Sequence, residues 1–265
     1  MDETVTIESP AERSPRRWWL TAGIALVFLL GWEGLVAIGA VRALFFPPPS
    51  TVFVSAVELV GNGKLPRHLG VTLLRLFGGL LLGAIPGLLL GLLMGWSRRL
   101  REVIDPLIAA LHPVPKTALL PLFMVILGLG EAPKIVVVGL ATFFPMLIST
   151  MAGVHQISPI HFEVATNYQA GPMKMLTRVV LPGSLPMVLA GLRLAFNTAL
   201  VVVIAVELLA AHRGLGAMIW SAWETMRTEE LYVAIGVTAV IGILGSFVLG
   251  KIQRRVVPWQ TERQI

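Results

Sequence analysis

The chain has 265 residues, of which 55% are hydrophobic and only 14% charged, and its mean hydropathy is +0.80. Because soluble domains carry about 25% charged residues, this composition excludes an ordinary soluble domain and indicates an integral membrane protein. The net charge of +6 does not indicate nucleic-acid binding, since the basic residues stand at the ends of apolar segments, where they favour one side of a membrane.

The apolar segments are long enough for about six transmembrane helices, each of which needs about 20 residues. The expected fold class is therefore all-α, a polytopic integral membrane protein. The six predicted spans are residues 18–40, 70–96, 104–128, 132–154, 187–211 and 231–252. They form one membrane domain over 18–252, between a disordered N-terminus (1–17) and a C-terminal tail (253–265).

Lysine and arginine residues are more numerous beside one set of span ends than beside the other. They precede the first span, as at Arg16 and Arg17, and they follow the second, fourth and sixth spans. Because the cytoplasmic ends carry the excess of positive charge, both termini and the loop 155–186 are expected in the cytoplasm. The first apolar segment is long enough for an uncleaved span, and a cleaved signal peptide is the alternative.

The second span contains a glycine at every fourth position over most of its length. These glycines are Gly79, Gly83, Gly87, Gly91 and Gly95. This spacing keeps them near one helical face, where small residues allow another helix backbone to approach closely. Close helix packing is the first interpretation of the pattern, and a ladder that lines a pathway is the second.

The third predicted span contains three closely spaced prolines, Pro113, Pro115 and Pro121. Proline removes backbone hydrogen bonds from a helix. Irregular backbone at membrane depth is tolerated only where protein or a water-filled cavity surrounds it. The sequence therefore predicts a broken helix near the centre of the molecule.

A soluble-looking segment, about residues 157–186, lies between the fourth and fifth spans. Ser158-Pro159 is typical of a helix start, and this short helix should end near residue 168. Gly171-Pro172 should begin a second helix, which Leu181-Pro182 ends before the fifth span. The segment is then a pair of short helices on the cytoplasmic face, which either dock against a partner or form an interfacial linker.

This segment resembles the EAA loop of ABC-importer permeases, the cytoplasmic loop that contacts a separate ATPase. The matching residues are Glu163-Val164-Ala165 at its start, Leu181-Pro182 at its end and Gly191-Leu192-Arg193 beyond it. Residues 46–51, 128–134 and 213–216 resemble the branch of these permeases that imports sulfonates, taurine, nitrate and related small solutes. The resemblance covers roughly residues 44–260.

The resemblance implies a role in ATPase coupling for the loop. Val164 replaces an alanine of the family's triplet, and Gln169 stands where the family has a turn glycine, with Gly171 two residues later. The turn is expected either at Gln169 or, with a shift, at Gly171. The implied coupling residues are Glu163, Val164, Ala165, Tyr168, Gln169, Ala170, Gly171, Leu181 and Pro182.

Glu33, Lys116 and Glu207 lie within predicted spans. Charged groups inside a membrane are costly and often functional. Lys116 and Glu207 are candidates for the lining of a translocation pathway, in which Lys116 would attract an anionic solute. The alternatives for Lys116 are an internal ion pair with Glu207 or Glu33 and a side chain that extends to the membrane interface. Glu33 is expected at the interface.

The resemblance implies the permease subunit of a bacterial ABC importer in the plasma (inner) membrane, acting as a homodimer. It implies two further partners, a cytoplasmic ATPase and an extracytoplasmic solute-binding protein, and no nucleic acid. The segment Arg213–Glu230 is the candidate contact for the binding protein, or else a re-entrant segment anchored by tryptophans. A stand-alone secondary transporter, which commonly shows internal repeats, and a membrane scaffold without transport activity are the alternative functions.

The sequence contains no Gly-x-x-x-x-Gly-Lys-Ser/Thr motif, the phosphate-binding loop of many ATPases. The chain is therefore expected to be a transport subunit and not an enzyme. It is expected to bind no cofactor, and ATP would be used by the partner subunit. The histidines are not clustered in the sequence, so no metal site is expected.

Overall fold

The computed structural model describes residues 16–259, so residues 1–15 of the N-terminus that is predicted to be disordered (1–17) lie outside the described residues. Within these residues every regular element is a helix, which agrees with the predicted all-α class. The helices are α1 (Arg16–Ala37), α2 (Pro49–Gly61), α3 (Lys64–Trp96), α4 (Arg98–Leu111), α5 (Leu120–Leu127), α6 (Ala132–His155), α7 (Pro159–Asn167), α8 (Pro172–Met175), α9 (Leu181–Ala210), α10 (Leu215–Glu224) and α11 (Thr228–Val256).

Four helices of the described chain are long and apolar enough to cross a membrane. They are Lys64–Trp96, Ala132–His155, Pro172–Ala210 and Thr228–Val256. The bent pair α4 and α5 makes a fifth span if it is counted as one. The apolar part of α1, Ala22–Ala37, is shorter than these helices. The polytopic, all-helical membrane fold that the sequence predicts is confirmed.

The predicted break in the third span is present. A 3₁₀ turn, Lys116–Leu119, separates α4 from α5, and the two halves meet at an angle of 84°. The break is not at the centre of the single chain, however, because residues 112–115 are exposed. The chain is buried again at Leu120, which lies in one cluster with Val137 of α6.

The glycines of α3 form its contact with α6. A Cβ at Gly87 would lie 2.6 Å from the carbonyl oxygen of Phe143, and a Cβ at Gly91 would lie equally close to that of Leu147. The two backbones approach so closely that a side chain at these positions does not fit. The structure confirms helix packing as the reason for the spacing, because these glycines face α6 and no open pathway.

The fifth span begins much earlier than the sequence predicts. The chain runs as one helix from Pro172 to Ala210, through a π-helical turn at Leu176–Val180. The prediction that Leu181-Pro182 ends a helix is therefore wrong. Proline lacks one backbone donor, and a π turn changes the hydrogen-bonding register locally, so the helix continues across Pro182 and Pro186.

We expect the substitution Gly87→Leu to weaken the contact between α3 and α6. A side chain forced into a close-packed contact costs about 1–3 kcal/mol, so the midpoint of thermal unfolding in detergent should fall. Gly70→Leu is the matched control, because Gly70 lies on the same helix with open space around it. Equal midpoints for the two variants would contradict the assignment of this contact.

Candidate functional site

Glu207 in α9 is fully buried and fully hydrogen-bonded. Its carboxylate accepts a hydrogen bond of 2.7 Å from Nη1 of Arg75 in α3, whose side chain is only 1% exposed. The hydroxyl of Thr72 lies 2.9 and 3.0 Å from the two carboxylate oxygens. The backbone N–H of Gly216 donates to the same carboxylate at 2.9 Å. A buried charge needs such partners, and Glu207 has them.

The guanidinium group of Arg75 also contacts two loops. Its Nη2 donates to Glu131 at 2.9 Å, and its Nη1 donates to the backbone oxygen of Arg213 at 2.6 Å. The hydrogen bond from Arg75 holds the pKa of Glu131 below its ordinary value, and Lys134, 3.5 Å away, adds to this effect. Arg75 therefore links α3, α9 and two connecting segments at one end of the helices.

We call Thr72, Arg75, Glu131 and Glu207 the Arg75 cluster. Two of the segments that resemble known permeases, residues 128–134 and 213–216, meet at this cluster. Gly214 has a φ of 122°, and a Cβ there would overlap the carboxylate of Glu207. A Cβ at Gly216 would lie 2.5 Å from the backbone oxygen of Ile204. The two glycines thus allow this backbone to cover the buried carboxylate.

The partners of the charged residues differ from those that the sequence suggests. Lys116 does not pair with Glu207 or with Glu33, because Glu207 pairs with Arg75 and Glu33 accepts hydrogen bonds from Ser50. Glu207 faces protein in this conformation, and its role in a pathway stays a prediction. Arg75 is not among the predicted site residues, although it shares one face of α3 with Thr72 by helical spacing.

Lys116 lies at the break between α4 and α5, half-buried. Its ammonium group donates hydrogen bonds to the backbone oxygens of Leu111, at 3.2 Å, and of His112. It also lies 4.5 Å from the centre of the Phe144 ring. These contacts satisfy the last carbonyl groups of α4 and hold the cation beside the exposed break.

The helix α7 buries none of its residues in its own chain. Ile160, Val164 and Tyr168, four residues apart, are 59%, 49% and 85% exposed, and they form an apolar stripe on the outer side of the helix. On the inner side, Phe162 packs against Val154 and Val180.

The other predicted coupling residues lie on or near α7. Glu163 is exposed, whereas Ala165 and Ala170 are half-buried. Gln169 has a φ of 53° and Gly171 a φ of −67°, so the left-handed turn residue is Gln169. Leu181 and Pro182 begin α9, with Leu181 exposed and Pro182 half-buried.

The segment Arg213–Glu230 contains α10. Leu215 and Met218 on one side of α10 are buried, in a cluster with Leu65 of α3 and Val233 of α11. The rings of Trp220 and Trp223, both exposed, lie 5.1 Å apart. Among residues 16–259, no group of three or more His, Asp or Glu side chains is arranged to hold a metal ion.

Comparison with protein families identifies the class of protein to which this fold and these motifs belong. Residues 87–261 match the model of the family described as binding-protein-dependent transport system inner membrane component. The chain belongs to this family and is a multi-pass membrane permease component of an ABC importer.

Individual permease proteins are similar to this chain over most of its length. The chain is 35% identical to the taurine transport system permease protein TauC of Escherichia coli (strain K12), over 94% of this chain and 92% of that one. It is 32% identical to the putative aliphatic sulfonates transport permease protein SsuC of Bacillus subtilis (strain 168), over 92% and 90%. It is also 30% identical to the riboflavin transport system permease protein RibX of Chloroflexus aurantiacus, over 97% of each chain.

A solved structure shares the fold. A chain of the MetNI methionine ABC transporter, in an inward-facing conformation, aligns with a TM-score of 0.60 and 20% identity. The alignment covers 71% of this chain and 94% of that one. The arrangement of helices is therefore one that is known among ABC transporters.

We expect Glu207→Ala to be among the most destabilising single changes in the chain. Removing one partner of a buried ion pair costs about 3–5 kcal/mol, since Arg75 then keeps a buried charge with only Glu131 to balance it. The thermal unfolding midpoint in detergent should fall accordingly. The control Glu102→Ala removes an exposed pair with Arg98, which is worth at most about 1 kcal/mol. A similar small loss in both variants would refute a structural role for the cluster.

Proposed function

We propose that this chain is the membrane-spanning subunit of an ATP-driven importer for a small anionic solute, with α7 as the contact for a separate ATPase. Family membership supports the importer over a stand-alone secondary transporter, because the family is binding-protein-dependent. The observation that carries the ATPase contact is the exposed apolar stripe of α7. ATP is bound and hydrolysed on the partner chain.

The stripe needs a partner that this chain does not supply. The charge pattern of the sequence favours a cytoplasmic position for α7. Exposed apolar groups in a row on such a surface mark interaction sites. Ile160, Val164 and Tyr168 point away from the chain while Phe162 anchors the helix to α6 and to the π turn. The stripe docks into a groove of the ATPase, and Glu163 makes a polar contact beside that groove. A displacement of α7 would reach the spans through Phe162.

A second copy of the chain forms the other wall of the pathway. Residues 112–115 are non-helical and exposed. The ring of His112 lies 5.3 Å from that of Phe144, in the middle of α6. Irregular backbone at this depth must be covered by protein or by water in a cavity. A homodimer whose two copies meet at this break provides both the covering protein and the water-filled cavity. The pathway then lies between the two copies, and Lys116 lies beside the pathway.

The anionic class of the solute rests on Lys116 and on the relatives named for taurine and sulfonates. The similarity to a riboflavin permease is nearly as extensive. The fold of the permease by itself therefore does not determine which solute is carried. An extracytoplasmic binding protein supplies that selection. Its contact is the exposed Trp220–Trp223 pair of α10, on the side opposite α7.

The ATPase contact is tested by Val164→Asp. A charge in the middle of the apolar stripe must be desolvated on docking, so we expect loss of the ATPase when the tagged chain is purified from its native membranes in mild detergent. Mass spectrometry of the co-purifying proteins identifies a subunit with a P-loop. Thr166→Asp is the matched control, because it adds the same charge on another side of α7.

Retention of the ATPase by Val164→Asp, or its equal loss with Thr166→Asp, would count against the stripe as the docking face. Glu163→Arg tests the polar contact in the same preparation. We expect it to weaken the association, because it reverses the charge beside the groove. Unchanged assembly and uptake would exclude Glu163 from the contact.

The role of Lys116 is tested by uptake of radiolabelled anions, using whichever of methanesulfonate, taurine and nitrate the wild-type importer accumulates. Lys116→Gln should lower uptake about fivefold, which corresponds to about 1 kcal/mol of lost attraction at 4 Å in water. Lys116→Arg should restore most of it, since the charge returns. Lys251→Gln, in the exposed last part of α11, is the control. Normal uptake by Lys116→Gln would exclude the attraction.

A further inference from the structure

A basic cavity of about 640 Å³ lies where α3 begins. It is lined by Asn62, Lys64, Arg67, His68, His212 and Arg213. The helix α3 has 33 residues and is therefore about 50 Å long. Just beyond the far end of α3, Arg101 of α4 contacts His155 at the end of α6. The helix α7 follows shortly after His155. The cavity thus lies at the opposite end of the molecule from α7.

Two arginines in this cavity have no partner for their guanidinium groups. Within residues 16–259, the side chains of Arg67 and Arg213 make neither an ion pair nor a hydrogen bond. Lys64 pairs with Glu230, beside the cavity. Like charges that share a cavity repel one another and create a positive potential. A bound anion would relieve this repulsion.

The wall that carries His212 and Arg213 is held in place by the Arg75 cluster. Arg75 donates to the backbone oxygen of Arg213 at 2.6 Å, and Thr72 accepts from the backbone N–H of Leu215 at 2.8 Å. Nδ1 of His68 lies 2.8 Å from the backbone oxygen of Gly214. A binding site whose wall is already ordered loses little entropy when its ligand binds.

We propose that this cavity binds an oxyanion, a sulfonate or phosphate group. The planar guanidinium group offers paired donors that match such oxygens, and two of them are available here. The volume lies within the range of small-molecule sites, so the anion can carry an organic group. Two sources have this chemistry: a free anionic solute, and the headgroup of an anionic phospholipid, because the cavity lies at the end of a membrane helix.

The proposal rests on the cavity alone and not on ATPase coupling. The test uses the purified, delipidated full-length chain in detergent, with methanesulfonate as the probe and chloride at equal ionic strength as the reference. Binding is measured by titration and by the shift of the unfolding midpoint. Arg67→Gln and Arg213→Gln should each weaken binding about tenfold or more, as expected for the loss of a charge-assisted hydrogen bond. Arg67→Lys should bind with intermediate strength.

Arg42→Gln is the matched control, because Arg42 is exposed and lies outside the cavity. It should bind as the wild type does. Short-chain phosphatidylglycerol distinguishes the two sources: if it displaces methanesulfonate at low concentration and short-chain phosphatidylcholine does not, the natural occupant is a lipid headgroup. If phosphatidylglycerol does not displace the probe, the occupant is a solute.

The proposal is overturned if neither methanesulfonate nor phosphatidylglycerol binds, or if the Arg67 and Arg213 variants bind both as tightly as the wild type. An equal loss in Arg42→Gln would also overturn it, because the effect would then be one of general surface charge. Each variant must first show the wild-type unfolding midpoint in chloride. Val164→Asp should bind the anion normally, so the outcome here is separate from that of the proposed ATPase contact.

Discussion

The close backbone contact between α3 and α6 sets the geometry of the whole fold. In a bilayer, apolar side chains gain nothing by leaving the lipid, so helices associate through close packing and polar contacts. Glycines at every fourth position of α3 allow this approach, and α9 packs on another side of α6 through Gly153 and Gly191. These three helices form the core. The helices α5, α10 and α11 pack against it.

The Arg75 cluster closes one end of this core. The charges of Arg75 and Glu207 are costly to bury and are stable there only because each has several partners. The segments 128–134 and 213–216 reach the cluster through Glu131 and through the backbone of Arg213. The carboxylate of Glu131 and the backbone oxygen of Arg213 both accept hydrogen bonds from the buried guanidinium group of Arg75, so these two short segments meet at one residue.

The features that the sequence predicts well depend on neighbours along the chain. The glycine spacing of α3, the proline break after α4 and the start of α7 at Pro159 are local patterns. The pairing of Arg75 with Glu207 could not be predicted, because 132 residues separate the two. Several other charged residues of the sequence were equally possible partners for Glu207. The prediction of a helix end at Leu181-Pro182 was wrong because a proline usually ends a helix. Nothing nearby in the sequence reveals the π turn that accommodates this proline. The turn at Gln169 was one of two open choices.

The unbroken helix from Pro172 to Ala210 has the mechanical properties of a lever. Its 39 residues measure about 58 Å, and its midpoint is Gly191, the residue that sits tightly against Ser149 of α6. A tilt of about 10° around this fulcrum moves the two ends about 5 Å in opposite directions. One end adjoins α7, and the other carries Glu207 and, through it, the wall of the basic cavity. In a rigid tilt around Gly191, a movement of the end beside α7 would therefore be matched by an opposite movement of the end beside the cavity.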